Sequence, residues 1–187
     1  EKSVELDEGY CTNTDPLEKN VFTGEIEELK RGKGSQKQTK VLVLHSTQEV
    51  PLTLEKSKYK HQTKAKFLKM SVIEDVKATT IDAKVKEQIN PVAKIISDDN
   101  NAYTNLKTLV AKHEPHNMKK ECPGKILPWV HKAISNSKSI LIAIHHGVSD
   151  AYMQNYLNEY CFKYNRRNFG EKLFNRLLIC SVSYTWN

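Results

Sequence analysis

An α/β fold is what this sequence predicts, and three observations carry the prediction. Strand-like apolar runs alternate with helical stripes over residues 4–111. Two of those runs, Val4–Glu8 and Val92–Asp99, end in carboxylates. The stretch Trp129–Arg167 then carries two helical stripes in succession. At 187 residues the chain fits one domain with enough length to bury a core.

Val4-Glu5-Leu6-Asp7-Glu8 alternates apolar and acidic residues, the pattern of a short strand with one buried face. Asn13–Glu28 reads as a loop, with Asp15-Pro16 and Thr23-Gly24 as turn signals. Lys30–Lys37 is basic and glycine-rich but lacks Walker A spacing, so it reads as a flexible segment able to follow a phosphate backbone. Lys40–His45 is a near-continuous apolar run and predicts a buried strand. Lys56–Lys69 holds six lysines and no acid, an exposed connection into a strand at Phe67–Ile73.

In Thr79–Ile89 the residues Ile81, Val85 and Ile89 recur at steps of four, giving an amphipathic helix closed by Asn90-Pro91. After the strand at Val92–Asp99, a second helix is expected at Asn100–Ala111, with Tyr103, Leu106, Leu109 and Val110 inward. His113–Lys125 reads as irregular, with surface histidines at His113 and His116. Met153, Tyr156, Leu157, Tyr160, Cys161 and Tyr164 share one helix face, which is expected to face the core. Between the two stripes lies a polar set: His131, Asn136, Lys138, the turn His145-His146-Gly147, and Asn165-Arg166-Arg167. A last helix is expected at Glu171–Tyr184, with Leu173, Phe174, Leu177, Leu178 and Val182 inward.

Charge is unevenly distributed. Residues 1–29 carry nine acids against Lys2 and Lys19, a balance of −7, which leaves +14 for the rest of a chain whose net charge is +7. A basic body with an acidic opening suits a polyanionic partner held near carboxylates that bind metal. No apolar run approaches the roughly 18–20 residues a membrane span needs, and no signal peptide is visible, so a cytoplasmic protein is expected. Cys11, Cys122, Cys161 and Cys180 have no metal-ligand spacing, and Cys161 and Cys180 read as buried thiols.

Two strand-end aspartates on a basic α/β domain point to two-metal phosphoryl transfer, since hard Mg²⁺ or Mn²⁺ ions take oxygen ligands; solvated edge charge is the competing explanation. The chain resembles the catalytic domain of bacterial insertion-sequence transposases of the DDE, RNase H-like class. The closer likeness is to the branch whose members carry an N-terminal zinc ribbon. The matching residues are VELDEGY at 4–10, ELKRGKGSQKQTKVLVL at 28–44, KMSVIEDVKATTI at 69–81 and IISDDNNAYTNLK at 95–107. They continue with LPWVHKAISNSK at 127–138 and HHGVSDAYMQNYLNEYCFKYNRRNFGEKLFNRLL at 145–178. The last segment is the most specific, and the likeness covers nearly the whole chain in order.

The resemblance implies an RNase H-like mixed sheet flanked by helices, with a helical C-terminal third. It implies a single catalytic domain over residues 1–187 that lacks the N-terminal DNA-recognition module. It implies metal-dependent phosphodiester hydrolysis and strand transfer at insertion-sequence ends, with two Mg²⁺ or Mn²⁺ ions. DNA, as element ends and as target, is the implied partner, met by a homo-oligomer on paired ends in the nucleoid. Asp7 takes the place of the first catalytic aspartate and Asp98 that of the second. Where many relatives have a Glu ahead of a Lys, this chain has Asn136 ahead of Lys138, with His131 as the alternative third residue. Metal ligands would then be Asp7, Asp98 and Asn136, while Lys138 would hold a DNA phosphate. Lys30, Arg31, Lys33, Lys37, Arg166 and Arg167 are the expected DNA contacts, although the last two arginines are equally placed to pair with Glu159 or Glu171 and cap their helix. The Gly-Gly common after the first motif is replaced by Cys11-Thr12-Asn13. That departure leaves a second reading, a catalytically inactive basic DNA-binding remnant.

Overall fold

A computed structural model describes residues 2–14, 35, 37–49, 63–117 and 126–183. Three long strands come first: β1 (Lys2–Thr12), β2 (Gln38–Glu49) and β3 (Thr63–Ile73). Helix α1 (Ala78–Gln88) leads to β4 (Lys94–Asp98). A 3₁₀ turn at Asn101–Tyr103, a single helical turn α2 (Leu106–Leu109) and strand β5 (Lys112–His116) follow. Helices α3 (Pro128–Ala143), α4 (Asp150–Arg166) and α5 (Lys172–Ser183) complete the described chain. The sheet order is β3-β2-β1-β4-β5, with β1, β2 and β3 antiparallel and β4 and β5 parallel to β1. This is the mixed sheet of an RNase H-like α/β fold.

Because β1 is central, both of its faces are covered, and its alternation sorts residues between two cores. Leu6 joins Leu42, Leu44, Ile81, Val85 and Ile95 in the core beneath α1 and α2. On the other face Cys11 joins Val41, Val43, Val130, Met153 and Leu157 beneath α3 and α4. Charged side chains on a central strand must find partners on one of those two faces.

Edge strand β3 has an unusual cover. Its outward backbone groups are met by side chains of α4 and the residue after it. Gln154 accepts from Val72 N at 2.7 Å and donates to Met70 O at 3.0 Å. Asn165 accepts from Leu68 N at 2.7 Å and donates to Leu68 O at 2.9 Å. The Arg167 guanidinium donates to Ala65 O at 2.9 Å and Lys66 O at 3.1 Å, and lies over the Tyr164 ring. Amide and guanidinium groups thus replace a sixth strand, leaving no template there for edge-to-edge pairing.

Several expectations are corrected. The helix expected at Asn100–Ala111 is broken, because Asn100 accepts from Ala102 N and the hydroxyls of Thr104 and Thr108 bond Asn101 O and Asn105 O. Such local side-chain bonds compete with the helical ladder. The stretch expected to be irregular contains β5, a polar edge strand whose Pro115 is tolerated because half of an edge strand's N–H groups face no neighbour. His113 on it is half-buried and bonds Ser97 Oγ at 2.9 Å, so it is no surface residue. Residues 63–66, expected as exposed connection, belong to β3, which starts four residues earlier than the expected Phe67. The face of α5 expected inward is outward: no residue of α5 is buried, and Phe174 and Val182 are 71% and 80% exposed. Periodicity shows that a helix has an apolar face but not that a partner covers it. Cys180 is exposed with it, whereas Cys11 is buried and Cys161 half-buried, all three as free thiols; Cys122 lies outside the described residues. No described helix is long and apolar enough to cross a membrane.

Candidate active site

The parallel pairing of β1 with β4 builds the site. Ser3, Val4, Glu5 and Leu6 pair with Lys94, Ile95, Ile96 and Ser97. One step further along both strands come Asp7 and Asp98, side by side at the carboxyl end of β4. Ligand oxygens of Asp7, Glu8 and Asp98 all lie within 4.8 Å of one another. Three carboxylates this close repel one another unless a cation stands between them. The donor set is oxygen only, which suits a hard divalent ion.

Each acid is held differently. Asp7 keeps 16% of its side chain exposed; its Oδ1 accepts from Glu8 N at 2.8 Å, and its Oδ2 faces His131 Nε2 at 3.1 Å. Glu8 points to the opposite face of the sheet and is buried. It accepts from the Tyr103 hydroxyl at 2.5 Å and from Asn100 Nδ2 at 3.2 Å. Glu8 therefore ties the middle of β1 to the 3₁₀ turn after β4. Burial first, and the nearby Glu8 charge second, hold the Tyr103 hydroxyl far above its ordinary pKa, so it remains a donor.

Helix α3 crosses this face of β1. His131 contacts Asp7, and that hydrogen bond, against the cost of partial burial, raises the imidazole pKa. The positive form is favoured beside the acids. Seven residues on, about two turns along the same helix side, Lys138 lies close enough to oppose the burial-driven rise in the Cys11 pKa. Asn136 is five residues from His131, roughly 140° around the helix, and its side chain hydrogen-bonds Tyr160 of α4. The structure thus brings together Asp7, Asp98 and His131, with Lys138 further along that side, and turns Asn136 toward α4.

Of the expected DNA contacts, Lys30, Arg31 and Lys33 lie outside the described residues. Lys37 begins the turn into β2, where its carbonyl accepts from Asn13 N at 3.0 Å. Arg166 stacks on Phe162 at 3.6 Å, and Arg167 is bound to the β3 edge. Neither arginine forms a described ion pair with Glu159, whose carboxylate pairs with Lys163, or with Glu171.

Sequence reasoning missed two residues. Glu8 is one, and its signal is adjacency to Asp7, although strand alternation puts it on the opposite face. Glu5 was read only as part of an alternating strand. It is 3% exposed, and its Oε2 accepts from Trp129 N at 2.9 Å and Val130 N at 2.8 Å. Burial pushes its carboxyl up to about 7, against those two N–H groups and the charges of His131 and Lys132.

Behind the site, the turn between α3 and α4 docks on the end of β1. Thr14 N donates to Val148 O at 3.1 Å, and Asn13 bridges to Val148. Gly147, at φ 105°, has Thr14 Cγ2 only 2.2 Å from where a Cβ would stand, so no side chain fits.

A family model described as the ISXO2-like transposase domain matches residues 1–165, which span every acid of this site. No curated protein matches the chain.

Proposed function

This chain belongs to the ISXO2-like transposase family, and from that premise we propose that it hydrolyses phosphodiesters at insertion-sequence ends and transfers the freed strand to target DNA. The observation that carries the reading is the gathering of Asp7, Glu8 and Asp98 oxygens within 4.8 Å where the middle of β1 passes the end of β4.

Asp7 and Asp98 would hold Mg²⁺ or Mn²⁺, two ions in the working scheme, with Glu8 bracing the corner and able to add an oxygen. Such ions, when bound, polarise the phosphodiester and lower the pKa of an attacking water or 3′-hydroxyl. The chain's own residues supply position and charge. His131 donates to Asp7 and fixes the direction of its free lone pairs. Its contact with Asp7 supports it as the third residue, in preference to Asn136, whose amide is engaged by Tyr160. Lys138 offers a cation further along the same side of α3, suited to a phosphate next to the reacting one. The protein would act in the bacterial cytoplasm on nucleoid DNA, as an assembly on paired ends.

The test is Mn²⁺-dependent cleavage and joining of labelled duplexes carrying the ends of the element, with the native chain and Asp98→Ala. A loss of at least about 10³-fold in both steps is expected for the variant, the scale seen when a group stabilising transition-state charge is removed. Equal activity of the two proteins overturns this assignment of the site, and no activity in either leaves the inactive DNA-binding remnant.

A further inference from the structure

Helix α3 starts without the usual means of closing its first turn. The residue at its N-cap, Leu127, offers no side-chain acceptor, and the first turn has no acid. Pro128 has no N–H, so Trp129 and Val130 carry the first donors that need an acceptor. Both donate to a single oxygen of Glu5, on a strand 124 and 125 residues earlier. An acceptor on a different element fixes more than the end of a helix. It fixes where the helix lies on that element and which way round it faces.

The spacing along β1 makes this consequential. Glu5, Asp7, Gly9 and Cys11 lie on one face, about 6.8 Å apart at each step of two. Opposite them in order come Trp129 and Val130, His131, Ile134 and Lys138, advancing about 1.5 Å per residue. Ile134 approaches Gly9 to 3.4 Å from where a Cβ would stand. A slip of one residue would turn the helix by about 100° and take His131 off Asp7. The apolar side chains beneath α3, Val130, Ala133 and Leu141, resist such a slip only by shape. The bonds at Glu5 resist it by direction.

We propose that Glu5 is a positioning residue: by capping α3 from β1 it sets the register in which the helix presents His131 to Asp7 and Lys138 toward Cys11 further along the strand. The proposal rests on the reading of the Asp7–Asp98 corner as the metal site, but the register itself is measurable without metal.

Three variants separate this role from simple stabilisation. Glu5→Gln keeps an acceptor oxygen at the same reach. Glu5→Asp keeps the carboxylate but withdraws it by one methylene. Glu5→Leu removes the acceptor. In the native chain and Glu5→Gln, the amides of Trp129 and Val130 should be protected from hydrogen exchange, and the His131 Nε2–H resonance should be observable. In Glu5→Asp and Glu5→Leu both signatures should disappear, and Mn²⁺ affinity measured by calorimetry on folded protein should fall about 10- to 100-fold, as for other groups that orient a ligand from behind. Folded Glu5→Asp or Glu5→Leu protein that keeps the His131 signal and native Mn²⁺ affinity would overturn the proposal, whatever the change in melting temperature. So would a Glu5→Gln protein that loses both. If the native chain takes up no Mn²⁺ yet the two signatures follow the variants as stated, the metal-site reading fails and the positioning role stands.

Discussion

The acid corner, where the middle of β1 passes the end of β4, and the clasped edge of β3 are both polar, and they are built on opposite terms. At β3, Gln154, Asn165 and Arg167 each meet backbone groups of the strand, donor against acceptor. At the corner, three carboxylates lie close together, with the His131 imidazole, the Tyr103 hydroxyl and the Asn100 amide among the groups that offset them. Satisfied groups stabilise a fold. Like charges held together cost stability and are retained where something is to be bound. The difference also explains why the most recognisable motif in the chain is not its chemistry. The segment YLNEYCFKYNRR carries the covering residues Asn165 and Arg167, so its pattern reports how the sheet edge is closed.

The two regions should therefore respond oppositely to substitution, and the largest effect lies at the corner. Asp7→Ala should abolish Mn²⁺ binding by calorimetry while leaving the melting temperature equal or higher, since it relieves repulsion. A clear loss of stability there would mean that Asp7 is chiefly structural.

Next in size is a pH effect at His45, which sits between the regions. This imidazole is fully buried, bonds the Tyr164 hydroxyl at 2.8 Å and lies near Trp129. Burial first, and the Arg167 charge second, lower its pKa to about 4. The unfolded chain takes up this proton near pH 6.5 and the folded chain does not, so the contribution is complete above about pH 6.5 and is lost as pH falls toward 4. The difference in unfolding free energy between the native chain and His45→Gln should change by roughly 3 kcal/mol between pH 7 and pH 4. Taking the difference matters because Glu5, raised to about 7, works the other way: its contribution is complete below about pH 4.5 and lost as pH rises through 7. A difference that does not vary with pH would show that His45 titrates normally.

At the clasp, Asn165→Ala leaves Leu68 N and O without their partner and should cost about 2 kcal/mol in urea unfolding, with Mn²⁺ affinity unchanged. A change in metal affinity instead would couple the regions. The smallest effect is expected from Arg167→Lys, about 1 kcal/mol, because a lysine keeps the charge but cannot reach both Ala65 O and Lys66 O. Should DNA affinity fall while stability holds, Arg167 would be a DNA contact after all.

Much of the fold was legible before any coordinates. Apolar alternation located β1, apolar runs located β2, β3 and β4, and three- and four-residue spacing located α1, α3 and α4, the last with its buried Met153 and Leu157. Asp7 and Asp98 could be named as a pair because each ends an apolar run in the sequence; in the structure only Asp98 ends its strand, whereas Asp7 lies in the middle of β1, which continues to Thr12 through its pairing with β2. β5 was hidden because an edge strand paired on one side needs no apolar pattern. The outward face of α5 was hidden because periodicity is a property of one helix and burial is a property of two.

By itself, then, the sequence determined most of the elements, their order and the acids that close two apolar runs, since backbone propensity and side-chain period act over a few residues at a time. Only tertiary structure decided which side chains met. Glu5 bonds amides 124 and 125 residues away, Asp7 finds His131, and Arg167 spans to Ala65 across 102 residues. No local rule fixes such distances. They follow from the register of β1 against β4 and the seating of α3 on β1, and each depends on packing across the whole sheet.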